Sequence, residues 1–482
     1  MRFLLASWLV LCLVLASTVI LDPLGAMTPD SANYCRVASS IADGNGPTVI
    51  VGAERLWYTT HPPAYPAAIA LVSLCTGTSM FWAAKIVQML CLLGILLALR
   101  KPLGDYFVLV PVLLVCDASW TLFLYSWSEP LFILCAIIVA RALAALWEGP
   151  TWSSAVALAI ASSVGVLTRY SGIAIPAVMA IALLTALWSK NSAWKHYGLA
   201  LLVCGASGAV DLWMNVTHGM SATGMREPAS ESFTAILFQL AQALVRPLVF
   251  IPVPNGPWKT SLYALQAAFV VASLFIVFRT LKHRAPFSRS MGTPMVISFI
   301  GLGLAITAAT VLPRFAIAMD TIGLRFVAPG FVVSTLGLMF WLKSMNARVP
   351  SISSMIMVTA VILACGTAVR SKSWLIPYST IRTYMTTRDS LLAKYSGVAD
   401  SSIVVFGNEQ IRYLRPSIHT ENPLTTPWSS GQESMPDFLR RMHTYKARGL
   451  YIDTVRDIET YHPSVRAYMD SLHHPSVIVR LW

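Results

Sequence analysis

Residues 168–190 read TRYSGIAIPAVMAIALLTALWSK. Between Arg169 and Lys190 no side chain is charged, and Ser171 to Trp188 is a run of 18 apolar or small residues. Coiled as a helix, such a run is about 27 Å long, close to the hydrocarbon thickness of a bilayer. The same unit recurs on either side of it. Apolar runs at 3–21, 79–99, 105–123, 129–147, 152–168, 197–214, 261–279, 293–312, 325–342 and 351–369 complete a set of eleven. The pattern predicts a mostly α, polytopic transmembrane helix bundle of about 11 spans.

Composition agrees. Of 482 residues 56% are hydrophobic and only 12% charged, about half the charged share of an ordinary soluble domain. That excludes a soluble multidomain enzyme, a disordered chain and a disulfide-stapled secreted domain. The net charge of +13 comes without basic runs interleaved with aromatics, so no nucleic acid is expected. The basic residues fall between apolar blocks: Arg100-Lys101, Lys190 with Lys195, the stretch 279–289, Lys343 with Arg348. This is the positive-inside pattern of cytoplasmic loops in a plasma (inner) membrane protein, with the N-terminus inside. The run 3–21 exceeds the roughly 7–15 apolar residues of a cleavable signal and is read as an uncleaved first span, with cleavage the alternative. Eight cysteines with no CxxC or Cys/His cluster predict neither a disulfide framework nor a structural zinc site.

Residues 1–369 are then the membrane domain, with a first outer loop at 22–78 and a second at 215–260. Residues 64–76 are apolar but too few to cross, and are read as a re-entrant or interfacial helix. The tail, 370–482, holds 10 of the 22 acidic residues and is expected outside as a small α/β domain. Its expected strands lie at 402–406, 449–452 and 476–480, with a helix over 435–448.

The acids of the membrane part are few, so each carries information. Asp30 follows Thr28-Pro29, a cap and a first-turn proline, and Gly44-Asn45-Gly46-Pro47 stops the helix they open. Tyr34, Val37, Ala38 and Ile41 share a face, predicting an amphipathic helix on the bilayer with Asp30 in its first turn and Tyr34 one turn on. Asp30 either complements the helix dipole or accepts a proton from a hydroxyl. Thr60-His61-Pro62-Pro63-Ala64-Tyr65-Pro66 fixes an extended entry into the 64–76 helix, as a rigid turn or as a wall presenting His61 and Tyr65. Glu129, in Ser128-Glu129-Pro130-Leu131-Phe132, is either a solvated carboxylate at a helix start or a functional acid beside a membrane span. Arg169 in Thr168-Arg169-Tyr170 and Arg325 in Gly323-Leu324-Arg325-Phe326 stand on the side poor in basic residues. They are snorkelling anchors or a bidentate clamp for a lipid phosphate. Asn215-Val216-Thr217 formally matches a glycosylation acceptor, and nucleotide-binding and zincin motifs are missing.

The order of these motifs resembles the GT-C superfamily of integral-membrane glycosyltransferases, such as the protein O-mannosyltransferases and lipid A aminoarabinose transferases. The features that carry it are Asp30 with Tyr34, His61-Pro62-Pro63-Ala64-Tyr65-Pro66, Ser128-Glu129-Pro130-Leu131-Phe132, Thr168-Arg169-Tyr170, Leu324-Arg325-Phe326-Val327-Ala328-Pro329, and the tail segment 404–409 leading to Tyr413-Leu414. The resemblance implies a GT-C bundle with an extracytoplasmic α/β tail. It also implies transfer of a sugar from a polyprenyl-phosphate donor, with inversion, to a lipid, protein or glycan acceptor. Asp30 would be the general base, and Glu129 would orient the acceptor or Asp30. Arg325 with Arg169 would offset the phosphate charge, and Tyr34, His61 and Tyr65 would line the substrate. Many relatives carry a second acid just after the first-loop acid, whereas Ser31 and Ala32 follow here, so a divalent metal is not implied. His61 stands where lysine or tryptophan is common. A transporter or lipid flippase is the rival from another class, but it calls for mid-span charges or matching broken helices.

Overall fold

The structure, a computed structural model, describes residues 2–21, 23–24, 26–51, 54–219, 221–223, 232–245, 293–316, 323–345, 377–405, 410–415, 417–421, 448–452 and 479–480, with isolated positions at 261, 264–266, 268, 271, 358, 440 and 444. The expected spans 261–279 and 351–369 and the expected helix 435–448 lie mostly outside them.

Seven described helical stretches are long and apolar enough to cross a membrane: Arg2–Leu21, Met80–Val115, Glu129–Glu148, Tyr170–Trp188, Trp194–Gly219, Pro294–Phe315 and Leu324–Ser344. The expected span 105–123 is not one helix. A 3-10 turn at Gly104–Val108 leads into α5 (Leu109–Val115), and the chain becomes extended at Cys116 before α6 (Asp117–Leu124). Asp117 follows the break directly, but no proline or glycine marks it and the apolar residues resume beyond it. The short apolar stretch at 64–76 is one helix, α3 (Ala64–Thr76).

The chain divides into two compact units, each discontinuous in sequence: Met1–Ser17 with Thr59–Ala68 and Ala84–Ile376, and Thr18–Tyr58 with Ile69–Ala83 and Pro377–Trp482. α1 (Arg2–Leu21), α3 and α4 (Met80–Leu103) contribute to both.

In the first unit, α7 (Glu129–Glu148) packs on α8 (Trp152–Val166), and α10 (Trp194–Gly219) packs on α8 and α9 (Ala174–Trp188). α12 (Pro294–Val311) lies against α7, α9 and above all α13 (Leu324–Ser344). Glycines allow that last contact: a Cβ on Gly330 would stand 2.5 Å from the Gly303 carbonyl oxygen, and one on Gly303 would stand 2.6 Å from that of Gly330. Small residues permit such backbone approach between membrane helices, where dispersion and polar contacts replace hydrophobic association. The shorter α11 (Phe233–Val245) turns Ile236 and Ala243 inward against Val311 and Val327.

In the second unit, α2 (Pro29–Ala42) forms where the sequence places it. The Thr28 Oγ1 accepts from the Ser31 N–H at 3.2 Å, and Pro29 occupies the first turn. Its apolar face is not left to the bilayer, as the sequence reading had it: Tyr34, Val37 and Ala38 are buried within the protein. Gly44 and Gly46, both at positive φ, turn the chain into an unforeseen hairpin. There β1 (Thr48–Val51) pairs antiparallel with β2 (Glu54–Trp57). The tail supplies α14 (Pro377–Lys394), the short α15 (Ile411–Leu414) and a four-stranded sheet of order β4-β3-β5-β6. β3 (Ile403–Val405) is parallel to β4 (His419–Glu421) and β5 (Leu450–Ile452), and β6 (Val479–Arg480) is antiparallel to β5. Three of these strands fall within expected segments; β4 does not. Leu24 from the first loop shares a core with Leu391, Tyr395, Val404, Ile411 and Tyr451 of the tail. Polar bonds follow the same line. Arg412 donates to the Asn33 Oδ1 at 3.0 Å, and Gln410 donates to the Leu24 carbonyl at 3.2 Å.

Candidate active site

Glu129 opens α7, preceded by Ser128 and followed by Pro130 in the first turn. The proline suits a first turn, where its missing N–H costs no hydrogen bond. The carboxylate is fully buried, so the solvated-cap alternative does not hold. Its Oε1 takes two cations at once, Arg169 Nη1 at 2.5 Å and Arg325 Nε at 2.5 Å. Among the described residues its Oε2 has no hydrogen-bond partner. The two arginine side chains are 14% and 19% exposed, and neither extends freely to an interface as an anchor would.

Each arginine is held by its own element. Arg169 follows the end of α8 and begins a 3-10 turn, Tyr170–Ile173. Gly172 makes that turn sit tightly, since a Cβ there would lie 2.7 Å from the Gly165 carbonyl oxygen. The Arg169 Nη1 also reaches the Ser128 Oγ at 3.4 Å. The bonds of its guanidinium to described residues run through Nη1. Arg325 sits in the first turn of α13 with its Cζ 4.2 Å from the centroid of the Trp127 ring. A stacked guanidinium is worth roughly 0.5–2 kcal/mol and fixes the plane in which it offers hydrogen bonds. Trp127 in turn lies 4.5 Å from the Tyr125 ring.

The histidine–proline segment joins the same region. The Ala64 N–H donates to the Leu167 carbonyl at 2.8 Å, and the Tyr170 hydroxyl donates to the Thr59 carbonyl at 2.5 Å. These bonds clasp Thr60-His61-Pro62-Pro63 between the end of α8 and the turn that carries Arg169. His61 is half-buried and Tyr65 fully buried. Asn215, the formal glycosylation acceptor, is 3% exposed and donates to the Tyr170 hydroxyl at 3.1 Å and the Ala222 carbonyl at 3.0 Å. It is a buttress of this turn, and α10 extends past it to Gly219.

Five residues singled out in the sequence, His61, Tyr65, Glu129, Arg169 and Arg325, therefore belong to one compact unit, with the last three in direct contact. Asp30 and Tyr34 belong to the other unit. Asp30 is half-buried in the first turn of α2 and Tyr34 is fully buried. Sequence reasoning missed Trp127, whose signal was an aromatic two residues before the acid, and it missed Lys85 and Gln88, which are buried in α4. Among the described residues no group of three His, Cys, Asp or Glu side chains is placed to hold a metal ion.

No protein-family model matches the chain, and no curated protein does. Solved structures match it. ArnT from Cupriavidus metallidurans in the apo state aligns with a TM-score of 0.58 at 12% identity, over 97% of this chain and 95% of that one. ArnT from the same organism bound to undecaprenyl phosphate gives a TM-score of 0.48 at 13% identity, over 92% of this chain and 95% of that one. The archaeal oligosaccharyltransferase AglB from Archaeoglobus fulgidus, in complex with an inhibitory peptide and a dolichol-phosphate, gives 0.44 at 10% identity, over 94% and 69%. The apo ArnT likeness shows the fold. With the seven apolar helices, it makes this chain a multi-pass membrane protein with the helix-bundle fold of apo ArnT.

Proposed function

We propose that this chain is a membrane glycosyltransferase that moves a sugar from a polyprenyl-phosphate donor to an extracytoplasmic lipid, protein or glycan acceptor, with inversion at the anomeric carbon. The observation that carries this reading is the buried contact of Glu129 with both Arg169 and Arg325. One carboxylate holds two largely buried guanidiniums side by side. Paired guanidiniums are the groups best suited to meet a phosphate with charge-assisted hydrogen bonds. A polyprenyl phosphodiester carries one negative charge, and loss of the sugar adds nearly another, because a phosphate monoester holds about −1.5 to −2 at neutral pH. The arginine pair thus fits the donor at rest and stabilises it further as it leaves. Removing one such electrostatic donor costs on the order of 3 kcal/mol in activation.

The reaction balances without a nucleotide. An acceptor hydroxyl or amine attacks the anomeric carbon, and the bond from that carbon to the phosphate oxygen breaks with its electron pair left on the phosphate. The motif order assigns the acceptor proton to the Asp30 carboxylate, a general-base role worth roughly 10²–10⁴ in rate. Glu129, with one oxygen committed to both guanidiniums, orients the phosphate clamp rather than taking a proton. His61 and Tyr65 act as the stiff wall of the substrate site, and the motif order gives Tyr34 a substrate-binding role. The shared fold of apo ArnT supports the reading, as does the motif order in the sequence.

Two measurements test it. Mass spectrometry of envelope lipids and proteins from cells with and without the gene is expected to find one species lacking a sugar, which names donor and acceptor together. In a purified transfer assay, Asp30→Asn is expected to lower turnover by about 10²-fold or more while donor affinity stays unchanged. Full turnover in a folded Asp30→Asn variant removes Asp30 from the mechanism.

A further inference from the structure

We infer that Lys85 and Gln88, on α4, are positioning residues for the donor-phosphate site: they hold the turn that sets Trp127 beneath Arg325. Both side chains are fully buried. The Lys85 ammonium donates to the Leu124 carbonyl at 2.6 Å and to the Gln88 Oε1 at 3.2 Å, and the Gln88 amide donates to the Tyr125 carbonyl. These acceptors lie at the C-terminus of α6, which ends at Leu124 as the chain turns extended at Tyr125. The last carbonyls of a helix lack partners within it and carry the negative end of its dipole. A buried ammonium from a neighbouring helix answers both deficits, which gives a physical reason for a lysine inside an apolar span.

The same carbonyl links the clamp to the site. The Tyr125 oxygen accepts from Gln88 and also from the Trp127 N–H at 2.9 Å, closing a three-residue turn. That turn stacks the Tyr125 and Trp127 rings, lays Trp127 under the Arg325 guanidinium and delivers Ser128 and Glu129 to the start of α7. Loosening the α6 terminus tilts the indole and with it the plane of Arg325. Neither Lys85 nor Gln88 touches the phosphate in this scheme; they act through Trp127.

The inference rests on the proposed reading that Arg325 meets a polyprenyl phosphate, and the test separates the two. Affinity for polyprenyl phosphate is measured by titration of purified protein in lipid nanodiscs for wild type, Lys85→Met, Gln88→Leu, Trp127→Ala and the Lys85→Met/Trp127→Ala pair, with the melting temperature of each. Lys85→Met and Trp127→Ala are each expected to weaken binding about tenfold, the scale of one lost guanidinium–indole stack. Because both act on one contact, the pair is expected to weaken it by about twentyfold or less rather than the hundredfold of independent sites. Gln88→Leu keeps the ammonium on Leu124 and is expected to show a smaller loss, which keeps the inference testable if Lys85→Met does not fold. Full additivity, or a lowered melting temperature with wild-type affinity, overturns the positioning role. Lack of saturable binding by wild type removes the donor reading itself, and the inference with it.

Discussion

A single oxygen of Glu129 serves Arg169 and Arg325 together, so the three residues form one electrostatic unit. Glu129→Gln keeps the shape and removes the charge, leaving two poorly solvated guanidiniums to face each other. The expected loss of stability is about 3 kcal/mol, the scale for breaking a buried pair from one side. An anion placed between the arginines offsets part of that loss. Polyprenyl phosphate is therefore expected to raise the melting temperature of Glu129→Gln more than that of wild type, and an equal rise in both counts against a phosphate at the pair. Each of these charges was legible in the sequence, because an acid or arginine at the edge of an apolar run stands out against so few others. Their mutual pairing was not, since Glu129 and Arg325 lie 196 residues apart. Lys85 escaped notice for a related reason. One lysine in an apolar run is compatible with a span, and its bond to a carbonyl 39 residues further along leaves no mark in the sequence.

Helix contacts set where those charges can be. α12 and α13 come close at Gly303 and Gly330, where each glycine leaves room for the other's carbonyl. Gly330→Ala places a methyl 2.5 Å from the Gly303 oxygen, so the helices must part, and α13 carries Arg325. Overpacking of this kind costs about 1–3 kcal/mol. Gly301, on the same α12, meets nothing within 4 Å, and alanine there is expected to be neutral or to stabilise by up to about 1 kcal/mol. Melting temperatures of the two variants in one detergent check the opposite signs; equal effects contradict the close crossing. The spans at 3–21, 129–147, 293–312 and 325–342 were readable because uncharged length alone defines them. The bend at Cys116 and the β1–β2 hairpin were not, as four-residue strands and a single extended residue leave no periodicity to detect.

At the scale of the whole chain, the tail does not form its compact unit from its own residues alone: the first-loop segment 18–58 belongs to that unit too. Its sheet was partly legible from short β-rich runs, but the sharing of Leu24 with the tail core depends on residues more than 350 positions apart. The Asp400 carboxyl in this unit accepts hydrogen bonds from Ser417 and Arg415, each at 2.6 Å, and these hold its pKa below the ordinary value. A lowered folded-state pKa contributes stability that is complete above the unfolded value of about 3.9 and vanishes as the pH falls through the folded one. The difference in melting temperature between wild type and Asp400→Asn is thus expected to be constant near neutrality and to shrink below about pH 4; a difference that persists in acid contradicts this origin. The most direct test of the account is the binding of polyprenyl phosphate to the purified chain. Saturable binding is expected in wild type and in Asp30→Asn, weaker binding in Arg325→Lys, and binding about 30-fold weaker or more in Arg325→Ala combined with Arg169→Ala, as expected for losing two charge-assisted contacts. Equal affinity in wild type and the doubly substituted chain would contradict it.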